Sequence, residues 1–360
     1  MLGFLKRPIA KLMKKRKMKG MYKSVVNAHH DFSHFDENNV FDARKYGFSL
    51  SESRAFGFPK NDYREYISTW ESYQPRILNN QRNFNLSDDK LLFSLVFGNV
   101  VNVPTVWATI NKGKIYPTQN VDLDENNLYE FLLSNSGGVI KERDGCDGFD
   151  VFVFKLDESN HLIYKDKVVN KEDIAEIVSK INNGLIQKRV VQGAFENEIF
   201  DRSINTIRMV TMRKKGEVEH EVVAALQRIG TSKSAPVDNF NQGGGSALID
   251  LKTGKLSSMT MLDSIDENGN RIFYDKHPDT GKQIKDMQIP NWGKIKEKII
   301  EVTKKIPVFN YVAWDIALTD DDVVIIETNM KSSLNVFQVH GGMKNSYLGQ
   351  KYRENGYIKD

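Results

Sequence analysis

The pattern of hydrophobic and polar positions changes near residue 100. Before about residue 85, apolar residues show no clear alternation, which indicates helices and loops, with one helix around residues 63–73. Farther on, short β-branched runs separated by Gly, Asn and Asp predict strands, interrupted by a few helical patterns. The predicted strands cover 103–110, 137–142, 149–155, 184–191, 206–213, 219–227, 246–250, 310–318 and 323–329, and the predicted helices cover 88–98, 171–182 and 292–304. This succession predicts an α+β fold with antiparallel sheets.

The segment at residues 310–329, NYVAWDIALTDDDVVIIETN, is the most informative part of this pattern. In its first strand, alternate apolar residues share one face and leave Asp315 on the other. A three-residue turn at 320–322 pairs Thr319 with Val323 and therefore places Asp315 directly opposite Glu327. The second strand is expected to divide into one face with Val324, Ile326 and Thr328 and another with Glu327 and Asn329.

Two carboxylates in directly opposed positions destabilise a sheet unless something compensates their charge. A divalent cation is one such compensation, because two carboxylates and an amide oxygen are ligands that magnesium accepts. The alternative is a solvated hairpin whose outer face carries acids.

A second candidate feature is the segment at residues 137–154, GGVIKERDGCDGFDVFVF, which predicts two strands joined by a glycine-bearing turn. Val139 and Lys141 share a face, and Gly145 and Gly148 leave the backbone of the turn uncovered. Such a turn can bring its amides against phosphate oxygens, with Lys141 supplying charge. An ordinary hairpin remains the alternative, and Cys146 in the turn is interpreted as incidental. The sequence has no P-loop or dinucleotide-binding glycine motif.

Taken in order, these segments resemble the ATP-grasp superfamily, and most of all its sugar-transfer-associated branch, over residues 87–342. The resemblance implies a fold of two α+β subdomains whose antiparallel sheets clasp ATP, preceded by a mostly helical N-terminal region. The implied nucleotide-binding residues are Lys90, Lys141, Gly145, Gly148, Gln187, Lys188, Val190 and Gln192, the last near the ribose. The implied ligands of Mg²⁺, or alternatively Mn²⁺, are Asp315, Glu327 and Asn329. The resemblance also places Asp238, Asn239 and Gly243 to Gly245 in this order, between Arg228 and the metal ligands.

The resemblance also assigns Arg208 and Arg228 to the catalytic site. Arg208 points away from the apolar face of its strand and either holds the triphosphate or pairs with a surface acid. Arg228 either binds the acceptor carboxylate or forms a structural ion pair. The ribose-binding acid is Glu196 or Glu198, and residues 331–333 line the acceptor site or form a simple turn. His340 serves as a base or as a structural residue.

The implied activity is that of an ADP-forming, carbon–nitrogen bond-forming ligase that activates a carboxylate as an acyl phosphate. A sugar-linked carboxylate or an amino acid and an amine are the expected substrates, in surface polysaccharide biosynthesis. Two alternatives are a small-molecule kinase on the same fold and a scaffold without catalysis that binds a nucleotide or a membrane surface. The expected divisions are a basic segment at 1–23, a helical region at 24–85, subdomains at 86–187 and 188–345, and a tail at 346–360.

Composition and charge exclude some classes of protein. Of 360 residues, 40% are hydrophobic and 27% are charged, and no apolar run of about 18 residues exists, which argues against a membrane-spanning protein. A single cysteine allows no internal disulfide and fits a reducing, cytoplasmic location. The net charge of +4 is unevenly placed, because residues 1–23 hold nine basic and no acidic side chains. The remainder is net acidic, so binding to nucleic acid is not expected.

The basic N-terminal segment has apolar residues at roughly helical spacing, which predicts a short amphipathic helix. It either contacts anionic lipid at the inner face of the membrane or packs on the body of the protein.

Deletion of residues 1–23 tests these two interpretations. If the segment contacts lipid, the truncated protein keeps its turnover in solution but binds vesicles containing anionic phospholipid more weakly, because nine positive charges are lost. Vesicle sedimentation measures this difference, and equal binding by the two proteins would exclude the lipid contact.

Overall fold

The β-branched runs of the sequence form two antiparallel sheets in the computed structural model, which describes residues 18–27, 41–77, 79–80, 83–118, 121–145, 150–214 and 216–358. The chain divides into two units, and both sheets lie in the unit made of 79–264 and 272–332. The other unit consists of 1–78, 265–271 and 333–360.

The first sheet has seven strands with neighbouring strands antiparallel. Its strands are β1 (Val106–Asn111), β2 (Lys114–Pro117), β3 (Gly138–Glu142), β4 (Val151–Leu156), β5 (Leu162–Tyr164), β6 (Lys167–Val168) and β7 (Asn183–Gln187). They lie in the order β2, β1, β7, β3, β4, β5, β6. Helices α6 (Leu128–Ser134) and α7 (Lys171–Lys180) contribute Leu132, Ile174 and Val178 to the core that these strands build with Ile140 and Phe154. Burying this apolar face stabilises the sheet.

The second sheet has six strands, again antiparallel. They are β8 (Thr206–Arg213), β9 (His220–Ile229), β10 (Gly245–Leu248), β11 (Thr260–Met261), β12 (Tyr311–Leu318) and β13 (Val323–Asn329), in the order β11, β10, β9, β8, β12, β13. Its core includes Trp314, Ile207 and Met209, together with Ile295 and Ile299. The last two belong to the amphipathic helix α9 (Trp292–Lys305), and the short helix α8 (Ala194–Ile199) precedes β8.

Two helices that precede β1 pack on the second sheet. They are α4 (Asn85–Asp88) and α5 (Lys90–Phe97), and the side chains of Phe93 and Phe97 enter the core of the six-stranded sheet. Ser87 accepts from the amide of Met330 and donates to the carbonyl of Thr328, so this segment covers the edge strand β13. The division expected at residue 86 put this segment with the first sheet, whereas its apolar side chains pack with the second.

The strands and helices predicted from the pattern have counterparts in the structure, with boundaries shifted by a few residues. The strand expected at 184–191 ends at Gln187, where the chain leaves the first sheet for the connection to β8. The pattern missed the short strands β2, β5, β6 and β11, which have between two and four residues. Runs of this length show too few alternations to be distinguished from loops.

The other unit is mainly helical in its described part. It contains helices α1 (residues 18–26), α2 (Leu50–Ala55), α3 (Thr69–Ile77), α10 (Asn335–Gln338) and α11 (Tyr347–Glu354). Near the helix at 63–73 that the sequence predicts, the structure has a 3₁₀ turn at Tyr63–Glu65 followed by α3.

Residues 1–17 of the basic N-terminal segment lie outside the described residues. Farther along it, the hydroxyl of Tyr22 donates to the carbonyl of Arg44, and its ring packs edge-on against Trp70 with centroids 5.2 Å apart. This end of the segment therefore packs on its own unit. In the described part of the chain, we find no helix with the length and apolar character needed to cross a bilayer.

Glu52 is a buried acid that caps α2, and its pKa determines a pH dependence of stability. Its carboxylate accepts from the amide of Ser49 and the hydroxyl of Thr69. Burial nevertheless raises the pKa to about 8, against these hydrogen bonds and the charge of Arg76.

The folded protein therefore binds one more proton than the unfolded chain between the ordinary pKa of glutamate and about 8. The contribution of Glu52 to the free energy of unfolding is greatest below this range and falls as the pH rises through it. Replacing Glu52→Gln should flatten this part of the profile, measured by urea unfolding from about pH 5 to 8. The exposed Glu65→Gln is the control, and an unchanged slope in Glu52→Gln would contradict the assignment.

Candidate functional site

A row of charged side chains crosses three adjacent strands on the face of the six-stranded sheet opposite its core. Arg208 on β8 is paired in register with Asp315 on β12, and Asp315 is paired with Glu327 on β13. The predicted opposition of the two carboxylates is thus confirmed. Arg208 also lies on the predicted face, since its neighbours Ile207 and Met209 are in the core.

The route to this register differs from the one that the sequence suggested. Leu318 pairs with Val323, so the connection has four residues and not three. The register then shifts between Asp315 and Ile316, where β13 carries an extra residue, and this bulge restores the opposition of the carboxylates. The expected faces of β13 are therefore wrong for the residues before the bulge. Val323 and Ile325 enter the core, whereas the expected alternation put Val324 and Ile326 on the face opposite Glu327.

Asp315 is buried, with 2% of its surface exposed, and it is held by two arginines. Arg208 donates from Nε to Oδ1 at 2.8 Å and from Nη2 to Oδ2 at 2.6 Å, and Arg228 donates from Nη1 to Oδ2 at 3.1 Å. Burial alone would raise the pKa of Asp315, but the charges and hydrogen bonds of these arginines hold it below the ordinary value. The carboxylate is therefore ionised at neutral pH.

Arg228 joins this row to a second buried acid. Its Nη2 lies 3.0 Å from Oδ1 of Asp238, whose Oδ2 accepts from the amide and hydroxyl of Thr206 at 2.9 and 2.5 Å. Burial raises the pKa of Asp238 in spite of these partners. Sequence reasoning placed Asp238 in order but gave it no partner, since Thr206 lies 32 residues away and only the fold brings the two together.

The two predicted nucleotide lysines lie beside the carboxylate row. Lys141 on β3 is 8% exposed, and its pKa falls to about 8 through burial and the nearby charge of Lys90, while the charge of Glu327 opposes that fall. Lys90 begins α5, and its Nζ donates to the carbonyl of Gly145 at 2.5 Å. Lys141, on the first sheet, is therefore close enough to both Glu327 and Lys90 for their charges to affect its pKa, and it links Lys90 to the carboxylate row.

The donor set fits a hard divalent cation in chemical type. Asp315 and Glu327 are directly opposed on neighbouring strands, and two carboxylates in that position destabilise the sheet unless a positive charge compensates them. The predicted third ligand, Asn329, uses Oδ1 to accept from the amide of Lys331. No group of three His, Cys, Asp or Glu side chains arranged for a metal occurs in the described ranges, so a metal here needs the amide and other oxygens as ligands.

The predicted adenine-binding residues follow the end of the first sheet. Gln187 is the last residue of β7, is 3% exposed and is paired with Val106 on one side and Val139 on the other. The amide of Lys188 donates to the carbonyl of Thr105 at 2.9 Å. With Val190, these residues start the connection between the sheets, and their contacts with a nucleotide stay predictions.

Gln192 has a structural role that sequence reasoning did not foresee. Its Oε1 accepts from the amide of Asn205, and its Nε2 donates to Asn197 and to the carbonyl of Phe200. Both polar ends of the side chain thus hold the loop before β8 together. We therefore leave Gln192 out of the site proposed below.

The two candidates for the ribose-binding acid have different surroundings. Glu196 is fully buried, and its Oε2 accepts from Nε2 of Gln227 at 3.1 Å. Burial raises its pKa well above the ordinary value, which describes a neutral acid inside the fold. Glu198 is exposed.

The remaining predicted residues fall in several places. Lys331 pairs with Asp88 at 2.5 Å and lies over the ring of Phe84. Ser333 and His340 belong to the unit that does not hold the sheets. Cys146 and Gly148 lie outside the described residues.

Comparison with known proteins identifies the class to which this fold and site belong. The sequence matches the sugar-transfer associated ATP-grasp family over residues 70–348. The chain therefore belongs to that family, and its two antiparallel sheets form the ATP-grasp fold, as the sequence predicts. A comparison with curated proteins gives no match.

Solved structures similar to the chain include the ADP complex of PurK, N5-carboxyaminoimidazole ribonucleotide synthetase, at 12% identity and a TM-score of 0.43. They also include the ATP-grasp ligase PsnB with minimal precursor, Mg and ADP, at 11% and 0.39, and D-alanine–D-alanine ligase from Helicobacter pylori, at 12% and 0.42. These alignments cover 81%, 78% and 80% of this chain, and 57%, 61% and 70% of the other chains. The chain thus spans less than two thirds of the first two.

The stability of the site without ligand depends on the charge of Asp315. Asp315→Asn places amide hydrogens against the guanidinium of Arg208 and leaves that largely buried cation without its paired carboxylate, while Arg228 keeps only its pair with Asp238. We expect the free energy of unfolding to fall by about 3 kcal/mol, measured by urea titration. Asp88→Asn removes a more exposed pair and should cost less than about 1 kcal/mol. Equal losses in the two variants would contradict the role of burial.

Proposed function

We propose that the protein is an ATP- and Mg²⁺-dependent ligase that forms an amide from a carboxylate and an amine through an acyl phosphate. The observation that carries the proposal is that Lys141 lies near Glu327 in the row of Arg208, Asp315 and Glu327, with Lys90 near Lys141, in a chain of this family. Cations from both sheets and paired carboxylates are what binding of a metal–triphosphate requires.

In this proposal each residue has a distinct electrostatic task. Lys90 and Lys141 hold phosphate oxygens, and the phosphate charge raises the pKa of Lys141 so that it stays protonated. Asp315, Glu327 and Asn329 would hold Mg²⁺, which when bound would neutralise phosphate charge. Arg208 keeps Asp315 ionised and faces the developing charge, while Gln187, Lys188 and Val190 contact the adenine. The glycines at 145 and 148 let the turn approach the phosphates.

The proposed reaction consists of two displacements. A substrate carboxylate oxygen attacks the γ phosphorus, the bond to the β-phosphate oxygen breaks, and ADP leaves. The amine nitrogen then attacks the acyl carbon, phosphate leaves, and the nitrogen loses a proton. Arg228 is proposed to bind the acceptor carboxylate bidentately, exchanging part of its contact with Asp315 and Asp238 for it.

The association of the family with sugar transfer supports a sugar-linked carboxylate or an amino acid as the substrate, in surface polysaccharide biosynthesis. Phosphoryl transfer to a hydroxyl, as in a kinase, is the second candidate because it needs the same phosphate-binding residues. The two reactions differ in their product: a ligase releases free phosphate, whereas a kinase leaves it on the acceptor.

The test is release of ADP and phosphate with a panel of amino acids, uronic acids and amines, with hydroxylamine added to trap an acyl phosphate as a hydroxamate. We expect Mg²⁺-dependent hydroxamate formation that is lost in Glu327→Gln, a variant that removes the charge of the carboxylate. Asp88→Asn serves as the control and should keep full turnover. ADP release with a stable phosphorylated product would indicate the kinase, and full activity of Glu327→Gln would remove the metal assignment.

A further inference from the structure

A bidentate ion pair beside the phosphate lysines connects the two sheets. Arg143 follows directly after β3 and donates from Nε to Oδ1 of Asp89 at 2.8 Å and from Nη2 to Oδ2 at 2.5 Å. The side chains are 28% and 19% exposed, so the pair is partly shielded from solvent. The two parallel hydrogen bonds fix the relative orientation of the groups as well as their distance.

The two residues of this pair are attached to different sheets. Asp89 is the N-cap of α5 and accepts from the amides of Leu91 and Leu92 at 3.0 and 3.1 Å. Because α5 packs into the core of the six-stranded sheet, Asp89 moves with that sheet. Arg143 continues β3, and its amide donates to the carbonyl of Asn183 in the seven-stranded sheet at 2.9 Å.

The same place holds two further contacts that involve Lys90. The amide of Lys90 donates to the carbonyl of Arg143 at 3.1 Å, and its Nζ donates to the carbonyl of Gly145. Lys90 is therefore fixed at its backbone and at the end of its side chain, next to the residue that forms the ion pair. Lys141 lies two residues before Arg143 on β3, so one connection governs the position of both lysines.

A restraint of this kind has a physical purpose here. Lys90 and Lys141 carry like charges and lie near enough to each other that the charge of Lys90, together with burial, lowers the pKa of Lys141. Without a bound anion, the repulsion between these charges favours moving the lysines apart. Contacts that hold their backbones together maintain a site for a strongly anionic ligand before the ligand arrives, which reduces the cost of ordering on binding.

The charge state of Asp89 fits this task. Burial alone would raise the pKa of Asp89, but the hydrogen bonds from Arg143 and from the amides of α5 hold it below the ordinary value. The hydrogen bonds that Arg143 donates to Asp89 also raise the pKa of Arg143. Both groups are thus charged over the whole neutral range.

We infer that Asp89 and Arg143 are positioning residues for nucleotide phosphate: their ion pair joins the two sheets and sets Lys90 and Lys141 at the spacing that a triphosphate occupies. The inference rests on the proposed function for the identity of the anion.

The test uses a double-mutant cycle in the full chain. Asp89→Asn removes the charge and keeps a good helix cap, because asparagine is as favourable at an N-cap as aspartate. Arg143→Gln removes the guanidinium, and the double variant combines the two. Glu176→Gln is the matched control, since it breaks an exposed ion pair with Lys180 on α7.

Two measurements distinguish loss of the contacts around Lys90 from loss of nucleotide affinity. Amide hydrogen exchange in the free protein reports the bond from Lys90 to the carbonyl of Arg143, and we expect faster exchange at Lys90 in both single variants but not in Glu176→Gln. The dissociation constant for MgATP, measured by calorimetry, should rise about tenfold or more in each single variant, corresponding to loss of a charge-assisted interaction. The double variant should bind MgATP no more weakly than the single variant with the lower affinity, because both substitutions break the same ion pair.

The outcomes are distinct. MgATP affinity equal to wild type in Asp89→Asn and Arg143→Gln would overturn the inference, as would additive losses in the double variant. Arg143→Lys discriminates further, because it keeps the charge without the planar fork and should recover only part of the affinity. Failure of the wild-type protein itself to bind MgATP would overturn the proposed function, and the positioning role with it, whatever the exchange at Lys90 shows.

Discussion

The buried carboxylate of Asp315 is the constraint around which the six-stranded sheet is arranged. An ionised carboxylate removed from water is unfavourable by several kcal/mol unless charge and hydrogen bonds replace the water. Arg208 and Arg228 provide both, but only if β8 and β9 keep their registers relative to β12. A shift of one residue in either pairing would move an arginine to the opposite face and leave the acid unpaired.

The same constraint organises the charges around the proposed nucleotide site. Arg208, Arg228, Lys90 and Lys141 outnumber Asp315, Glu327 and Asp238 by one charge, so this group as a whole attracts an anion. The cations come from different elements, and most are held by contacts that have nothing to do with a ligand. The fold therefore keeps like charges close together at a cost that a bound triphosphate would reverse.

Edge strand β13 shows how packing delivers a residue to this group. Its exposed edge is covered by the segment from α4 to the start of β1, in which Ser87 bonds the end of the strand and Asn102 accepts from the amide of Ile325. Covering the edge prevents pairing with other chains. It also places the first residue of α5, Lys90, near Lys141, so the segment that covers the strand edge also supplies a residue of the proposed site.

The longer strands and their helices, the antiparallel class of the sheets and the alternation that puts Asp315 and Arg208 away from the core could all be predicted from the sequence. These properties follow from side-chain periodicity, which is local. It also gave the correct opposition of Asp315 and Glu327, although by a count in which a turn one residue too short and an unrecognised bulge compensated for each other. Bulges depend on how a strand fits its neighbours, and a single strand carries no pattern for them.

Which charges meet depends on how distant segments pack. Asp315 lies 87 residues from Arg228, and Asp89 lies 54 residues from Arg143. Gln192 and Glu196 could be assigned to the fold only from their surroundings. Burial also determines the charge of Glu196, since desolvation in a core raises the pKa of a glutamate. Local periodicity specifies which face a side chain occupies, whereas register, packing and desolvation between distant segments specify what it touches and whether it is charged.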